Sequence, residues 1–331
     1  MSPRQLGRSG LRVSELTYGT WLHRTEGDAL RLMRAALDLG YWTFDTADVY
    51  GSTRTESILG MALTNVRRES YVISTKVFAR TGSGANDRGL SRKHIMESCE
   101  ASLRRLKTDH IDLYSAHRYD SSVPLDETLR AFDDLIRQGK ILYVGVSEWT
   151  AGQIDEALAI AEARGFDQII ANQVQYNLLW RAPEADVTAA CTRGGLSQMA
   201  WSPLAQGVLS GKYRTASELP PESRAAGPLG SHFPRAALRQ EVLDKVTELG
   251  VLAADAGLTA SQLALRWVLS RDTVASAVIG ASSENQLREN RVAADQGLDS
   301  DLGLVVDALF ADIAERRPGR MPSEPSDYGR N

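Results

Sequence analysis

Residues 44–50 read Phe44-Asp45-Thr46-Ala47-Asp48-Val49-Tyr50 and continue the apolar run of residues 40–44. We interpret the run as a strand and the residues after it as the loop that leaves the strand. Asp45 and Tyr50, a carboxylate and a phenol five residues apart, then stand at one strand's exit. A phenol is a weak acid with a reference pKa of about 10, but a nearby ammonium can lower that pKa.

The next two apolar runs also end in ionisable side chains, Lys76 after residues 71–75 and His117 after residues 111–116. The other apolar runs end near Thr20, Thr46, Ser147, Tyr176, Ser202 and Gly280. Helical periodicity separates the runs at residues 28–39, 91–106, 126–136, 151–163, 184–192 and 283–293. This alternation predicts an α/β fold, a closed (β/α)8 TIM barrel whose strands are buried on both faces.

Other segments add to the barrel at its ends. Residues 4–14 predict an N-terminal β-hairpin that turns at residues 7–10. A Pro/Gly-rich stretch, residues 219–234, predicts a long functional loop before strand 8, followed by a helix over about residues 236–256. A C-terminal helix is expected over residues 299–316, and residues 318–331 form an extended or disordered tail. We therefore expect one domain over residues 1–331, with its core at about residues 4–316.

A doubly wound sheet is the alternative architecture, but its dinucleotide signature, G-x-G-x-x-G after the first strand, is missing. The nearest string is residues 82–87, which Asp87 breaks. Residues 207–212 are one residue short of a phosphate loop, and Tyr213 stands where Ser or Thr is needed. We reject both matches.

Composition excludes several classes of protein. The net charge of -4, the pI near 5.8 and the lack of a basic block predict no nucleic-acid binding. No apolar run reaches about 18 residues and the N-terminus lacks a signal-peptide core, so we expect no membrane insertion and a cytoplasmic location. Cys99 and Cys191 cannot build a disulfide framework, and their helical surroundings predict two buried thiols.

Seven polar side chains at strand ends would converge on one rim of the barrel: Asp45, Tyr50, Lys76, His117, Ser147, Gln173 and Ser202. Their chemistry suits proton transfer beside a carbonyl. Tyr50 would donate the proton if Lys76 lowers its pKa, and Asp45 would hold Lys76 in its charged form. His117 would orient the carbonyl oxygen. Metal ligation is not indicated, and residues 145–149 lack the second glycine of a serine-hydrolase elbow.

The chain from about Arg4 to Ala314 resembles the aldo-keto reductase family. The resemblance is carried by the motifs at residues 44–51, 74–76, 115–117, 201–205, 207–213 and 280–290. Residues 89–95 further resemble the branch that holds the β subunits of voltage-gated potassium channels and related bacterial reductases. The resemblance implies NADPH-dependent reduction of an aldehyde or ketone, with NADP+ as the oxidised cofactor. It also implies a catalytic tetrad of Asp45, Tyr50, Lys76 and His117.

The same resemblance implies a set of cofactor contacts. Trp201 would stack on the nicotinamide, and Ser147 and Gln173 would bind its carboxamide. Contacts to the pyrophosphate and the arm beyond it would come from Ser202, Leu204, Gly207, Lys212 and Arg224. Ser282 and Gln286 would meet the 2′-phosphate, with Glu289 and Asn290 near the adenine. The remaining expected contacts are Thr20, Trp21, Asp45, Glu148, Pro203, Ala205, Tyr213 and Gly280. Backbone amides near Ser282 favour an anion, although an ordinary capped helix would carry the same residues.

Glu148 departs from the family pattern, which has an amide or, in the channel-subunit branch, a basic residue after Ser147. A carboxylate there would repel acidic substrates or bind a hydroxyl-rich or cationic one; the alternative is a rim side chain that points into water. Aromatic side chains after the strands would form an apolar wall for the substrate, or else pack under the loops. The substrate-site candidates are Trp21, Tyr50, His117, Trp149, Tyr176 and Trp180.

The sequence therefore supports two candidate functions. The first is an active carbonyl reductase acting on a small-molecule aldehyde or ketone. The second is an NADPH-binding regulatory β subunit of a membrane channel with little turnover. His117 argues against the second, because the channel subunits carry Asn at this position. Relatives in this branch often assemble into homo-oligomers.

Overall fold

The computed structural model describes residues 1–21, 23, 25–215, 217–221, 223–226 and 235–319. An antiparallel hairpin, β1 (Pro3–Gln5) and β2 (Arg12–Ser14), opens the chain as predicted. Eight parallel strands then form a closed barrel: β3 (Leu16–Gly19), β4 (Thr43–Asp45), β5 (Val72–Val77), β6 (Ile111–Ala116), β7 (Ile141–Ser147), β8 (Ile169–Gln175), β9 (Ser197–Trp201) and β10 (Val274–Ile279). Each strand pairs with the next, and β10 closes the ring on β3, which confirms the predicted (β/α)8 barrel.

The strands are short and nearly all buried, since helices cover the outside and side chains fill the inside. All six residues of β5 and all six of β6 are buried. Apolar β-branched residues such as Val72 and Ile111 suit such two-sided burial. Parallel pairing brings all eight carboxyl ends to one rim, where the loops that carry functional residues begin.

Ten α-helices occur in the described part of the chain: α1 (Glu26–Asp38), α2 (Arg54–Ala62), α3 (Arg92–Leu106), α4 (Leu125–Arg137), α5 (Ala151–Arg164), α6 (Val187–Gly194), α7 (Gln240–Asp255), α8 (Ala260–Leu269), α9 (Glu284–Arg291) and α10 (Ser300–Leu309). Ser91 caps α3, because it accepts a hydrogen bond from the backbone N–H of His94. Helices α2 and α8 were not predicted individually, and α10 ends at Leu309 rather than at residue 316. None of the helices in the described ranges combines the length and apolar character needed to cross a bilayer.

The hairpin closes the barrel at the end opposite the rim. Leu6 and Val13 are buried in one cluster with Val72 and Ile170 from the strands. The turn needs Gly7, which has a φ of +56° and whose added Cβ would lie 2.2 Å from the carbonyl oxygen of Ile170. Ligand access is therefore expected only at the carboxyl ends of the strands.

A carboxylate of the C-terminal helix links it to residues around α8. Asp307 of α10 accepts hydrogen bonds from Arg181 Nη1 at 2.7 Å, Arg271 Nη2 at 2.9 Å and Trp267 Nε1 at 3.1 Å. Both guanidinium groups also lie over the Trp267 ring, at 5.0 and 4.2 Å from its centroid. The predicted tail falls largely outside the described residues, as do residues 227–234 of the predicted long loop.

Candidate active site

Asp45, Tyr50, Lys76 and His117 come together at the rim of the barrel. The Lys76 Nζ donates to Asp45 Oδ2 at 2.6 Å and lies 5.3 Å from the centroid of the Tyr50 ring. The rings of Tyr50 and His117 meet edge to face, with centroids 5.9 Å apart. All four side chains are buried, and Lys76 is fully buried. The four residues that the sequence motifs predict to form one site are therefore neighbours in the folded chain.

The loop after β4 places Tyr50 over the lysine because it continues to pair with β5 beyond the strand. The backbone N–H of Thr46 donates to Ser74 O at 2.8 Å, and that of Asp48 donates to Lys76 O at 3.1 Å. The chain then turns sharply at Gly51, whose φ is +57° and whose added Cβ would meet Thr55 Oγ1 at 2.6 Å. Glycine adopts this conformation without strain, and α2 begins at Arg54, after Ser52 and Thr53, which also have positive φ.

The Lys76–Asp45 pair is embedded in a network of hydrogen bonds. Lys76 also donates to Thr46 O at 2.8 Å, while Asp45 Oδ1 accepts from Ser74 Oγ at 3.0 Å and Gln173 Nε2 at 2.8 Å. Burial lowers the pKa of Lys76, and the Asp45 carboxylate opposes that change. Asp45 thus favours the charged form of Lys76, whereas burial alone would favour the neutral amine.

His117 is held in its neutral form. Burial, together with the positive charges of Lys76 and Arg118, lowers the pKa of His117 well below its usual 6.5. Arg118 is fixed nearby through a hydrogen bond from Nη1 to the His117 carbonyl oxygen at 2.7 Å. At neutral pH the imidazole is therefore uncharged and keeps one N–H to donate.

A second carboxylate in the same loop was not singled out from the sequence. Asp48 is completely buried, and neither oxygen of its side chain has a well-oriented hydrogen-bond partner among the described residues. Burial and the neighbouring Glu56 carboxylate raise its pKa well above the usual value, so its protonated form is favoured. Glu56 itself is satisfied by Arg105 Nε at 2.7 Å and Thr75 Oγ1 at 2.6 Å. In the sequence, only the position of Asp48 within the motif of residues 44–51 could have indicated a functional role for it.

Glu148 does not point into water. The residue is buried, with a φ of +57°, a left-handed conformation that non-glycine residues rarely adopt. Its Oε1 accepts hydrogen bonds from the backbone N–H of Gln175 at 2.5 Å and from Trp201 Nε1 at 2.6 Å. Of the two alternatives for Glu148, the rim side chain that points into water is therefore wrong, and the carboxylate instead holds the Trp201 indole at the end of β9.

The segment after β9 makes an unusual turn that gathers two cations. Ser202, Ala205 and Gln206 all have positive φ, and Gly207 has a φ of +97°. A Cβ at Gly207 would lie 2.7 Å from Lys212 Nζ, so the glycine leaves room for the ammonium. The nearby Arg224 and burial both lower the pKa of Lys212, burial having the larger effect.

Trp21 connects the first barrel loop with the loop after β9. The Arg224 guanidinium lies 5.7 Å from the centroid of the Trp21 ring. Next to Trp21, the Thr20 backbone N–H donates to Asp45 O at 2.9 Å, which ties the loop after β3 to the site. Among the described residues, Lys212 and Arg224 form no ion pair with a carboxylate. Positive charge without an acidic partner suits an anionic ligand.

Residues 280–290 form a capped helix start. Ser283 accepts a hydrogen bond from the Gln286 backbone N–H at 3.3 Å and so caps α9. The Ser282 backbone N–H donates to Gln286 Oε1 at 2.8 Å. Glu289 is exposed and Asn290 is buried. These contacts are those of an ordinary capped helix, and anion binding there stays a prediction.

The candidate substrate residues separate into two groups. Trp149 is buried against Tyr119, with ring centroids 5.1 Å apart. Tyr176 is buried, stacks on Trp267 at 5.4 Å and donates its hydroxyl to Glu184 Oε1 at 2.6 Å. For these two residues the structure supports packing rather than a pocket wall. The half-buried candidates, Trp21 and Trp180, stay as predictions.

Known proteins are similar to this chain over most of its length. Residues 15–302 match the model of the aldo/keto reductase family. A probable voltage-gated potassium channel subunit beta from Oryza sativa subsp. japonica is 41% identical over 334 aligned residues, which cover 98% of each chain. Another, from Arabidopsis thaliana, is 40% identical over 304 aligned residues, covering 89% of this chain and 92% of the relative.

Proposed function

The chain belongs to the aldo/keto reductase family, and on that premise we propose that it reduces an aldehyde or ketone to the alcohol with NADPH. Members of this family generally carry out NAD(P)H-dependent carbonyl reduction. One observation carries the proposal for this chain: a buried ammonium, Lys76, lies between the Asp45 carboxylate and the Tyr50 ring. Packing alone gives no reason to bury a lysine beside a phenol at the rim of a barrel.

In the proposed mechanism Tyr50 is the general acid that protonates the carbonyl oxygen. The Lys76 charge stabilises the phenolate that this proton transfer leaves behind. Asp45 keeps Lys76 charged. It also accepts a hydrogen bond from Gln173 at 2.8 Å, which joins the ion pair to β8. Neutral His117 donates a hydrogen bond that orients the carbonyl oxygen towards Tyr50.

The residues present fit NADPH. Lys212 and Arg224 offer positive charge that no described carboxylate neutralises, and Gly207 leaves the space that the ammonium occupies. They would hold the phosphates, while Trp201 would lie against the nicotinamide and Ser147 and Gln173 would bind its carboxamide. When bound, NADPH supplies the hydride that the carbonyl carbon accepts.

A regulatory role is the second candidate function, because relatives that match nearly the whole chain are named as channel β subunits. In that case the chain would bind NADPH, turn over slowly and associate with a membrane partner. The neutral His117 beside Tyr50 favours turnover. We therefore rank the enzyme above the regulatory subunit, with a small-molecule carbonyl as substrate and the cytoplasm as location.

The test is a carbonyl screen with NADPH and NADH run side by side. The purified chain is mixed with 4-nitrobenzaldehyde, small aldehydes, keto sugars or ketones, and loss of reduced cofactor is compared with the alcohol formed. Equal amounts of oxidised cofactor and alcohol, with NADPH preferred, would support the enzyme. NADPH binding without turnover on any carbonyl, together with capture of a channel from solubilised membranes, would support the regulatory subunit instead.

A further inference from the structure

Glu148 combines three features that packing does not explain. Its carboxylate is buried, its backbone is left-handed, and a single oxygen accepts hydrogen bonds from both Gln175 and Trp201. A glycine or asparagine would meet the backbone requirement with less strain, and a neutral side chain would be cheaper to bury. The site therefore retains a costly charge next to the indole of Trp201.

We propose that Glu148 positions Trp201 and sets the charge at the nicotinamide end of the cofactor site, so that the oxidised cofactor is favoured over the reduced one. The inference rests on the proposed function, since it needs Trp201 to lie against the nicotinamide. The 2.6 Å hydrogen bond places the carboxylate on the edge of that indole. Any ring stacked on the indole then lies within a few ångströms of the carboxylate.

The physical basis is the charge difference between the two forms of the cofactor. The nicotinamide ring is positive in NADP+ and neutral in NADPH, whereas the phosphates are the same in both. The buried carboxylate attracts the positive ring, and this attraction is stronger than between the same charges in water because the effective dielectric constant of the site is lower. The Arg118 guanidinium, which acts on Glu148, offsets part of this attraction.

The net pKa of Glu148 is raised, and burial is the largest cause. Burial raises its pKa, while the Arg118 charge and the hydrogen bonds from Gln175 and Trp201 lower it. An oxygen that accepts from two N–H groups is best satisfied as a carboxylate. Measurements at about pH 8 are therefore appropriate, because a carboxyl with a raised pKa is more fully ionised there.

Three variants separate the effect of the Glu148 charge from its effect on the position of the Trp201 indole. Glu148→Gln keeps the size of the side chain and an oxygen that can accept from the indole, but removes the charge. Glu148→Ala removes both. Glu162→Gln is the matched control, because Glu162 is exposed near the C-terminal end of α5, away from the rim. The dissociation constants of NADP+ and NADPH are measured for each protein by calorimetric titration, without any carbonyl present.

We expect the ratio of the NADP+ to the NADPH dissociation constant to rise about tenfold in Glu148→Gln, which corresponds to about 1.4 kcal/mol. Glu162→Gln should leave the ratio unchanged. Glu148→Ala should raise the ratio similarly and also weaken both forms, because the indole loses its anchor. Equal weakening of both forms in Glu148→Gln, or no change, would overturn the inference while leaving the proposed function intact. Failure of the wild-type chain to bind either form would overturn both.

Discussion

The buried ion pair between Lys76 and Asp45 should be strongly coupled. Nζ and Oδ2 are 2.6 Å apart, with the side chains 0% and 4% exposed. Replacing Lys76 by Met leaves a buried carboxylate that keeps its hydrogen bonds from Ser74 and Gln173. Removing one partner of a buried pair costs about 3–5 kcal/mol. Because two hydrogen bonds persist, we expect Lys76→Met to lower the free energy of unfolding by about 3 kcal/mol.

The pairwise energy is obtained from a double-mutant cycle. Asp45→Asn, Lys76→Met and the double variant are unfolded in urea, and the midpoints and slopes are compared with those of the wild type. The double variant buries no charge at these positions, so it should lose roughly 2 kcal/mol less than the sum of the single losses.

An exposed pair supplies the control for this cycle. Arg193 and Asp155 are 3.1 Å apart, and their side chains are 61% and 51% exposed. Their coupling energy should stay below about 1 kcal/mol, as for most surface ion pairs. A coupling between Lys76 and Asp45 no larger than that of the exposed pair would refute the reasoning, since burial would then add nothing.

Three further predictions concern other charged groups. Since the pKa of Asp48 is raised in the folded chain, the unfolded chain releases this proton at lower pH, and the contribution of Asp48 to wild-type stability should fall as pH rises above about 4. Asp48→Asn should therefore gain stability relative to the wild type as pH rises above about 4 in urea titrations, and a difference that stays constant with pH would contradict the raised pKa. Asp307→Ala should cost about 2–3 kcal/mol, because two guanidinium groups and an indole N–H lose their acceptor; a loss under about 0.5 kcal/mol in urea unfolding would show that the contacts are weak. Arg224→Ala should weaken NADPH binding about tenfold in fluorescence titrations while the free energy of unfolding changes little, and unchanged binding would remove Arg224 from the phosphate site.

Much of the barrel could be predicted because most of its strands are short and largely apolar, and several of them end at or beside a polar residue. The strand ends expected near Thr46, Lys76 and Ser147 lie within one residue of those observed. Helix α8 escaped recognition because eight of its ten residues are buried, so it shows no single apolar stripe. Helix α2 follows Thr53, a residue with positive φ that forms no side-chain cap, so it lacks the usual start signal.

The tetrad could be assembled from sequence because its members stand at the ends of successive strands. The environments of Glu148 and Asp48 could not be predicted from sequence, since the burial of these side chains depends on which loops cover them. From sequence, a carboxylate in a loop is expected to be solvent-exposed, whereas in the structure the carboxylates of Glu148 and Asp48 are both buried. Likewise, the stacking of Tyr176 on Trp267 joins residues far apart in the chain, and no local pattern reports it.

The role of Tyr50 as the proton donor is tested most directly by Tyr50→Phe. NADPH-loaded protein is mixed rapidly with 4-nitrobenzaldehyde, and the single-turnover loss of NADPH fluorescence is followed. We predict that Tyr50→Phe binds NADPH like the wild type but transfers hydride at least about 100-fold more slowly, as expected when a general acid is removed. A Tyr50→Phe variant that binds NADPH and reduces the aldehyde at the wild-type rate would contradict the account.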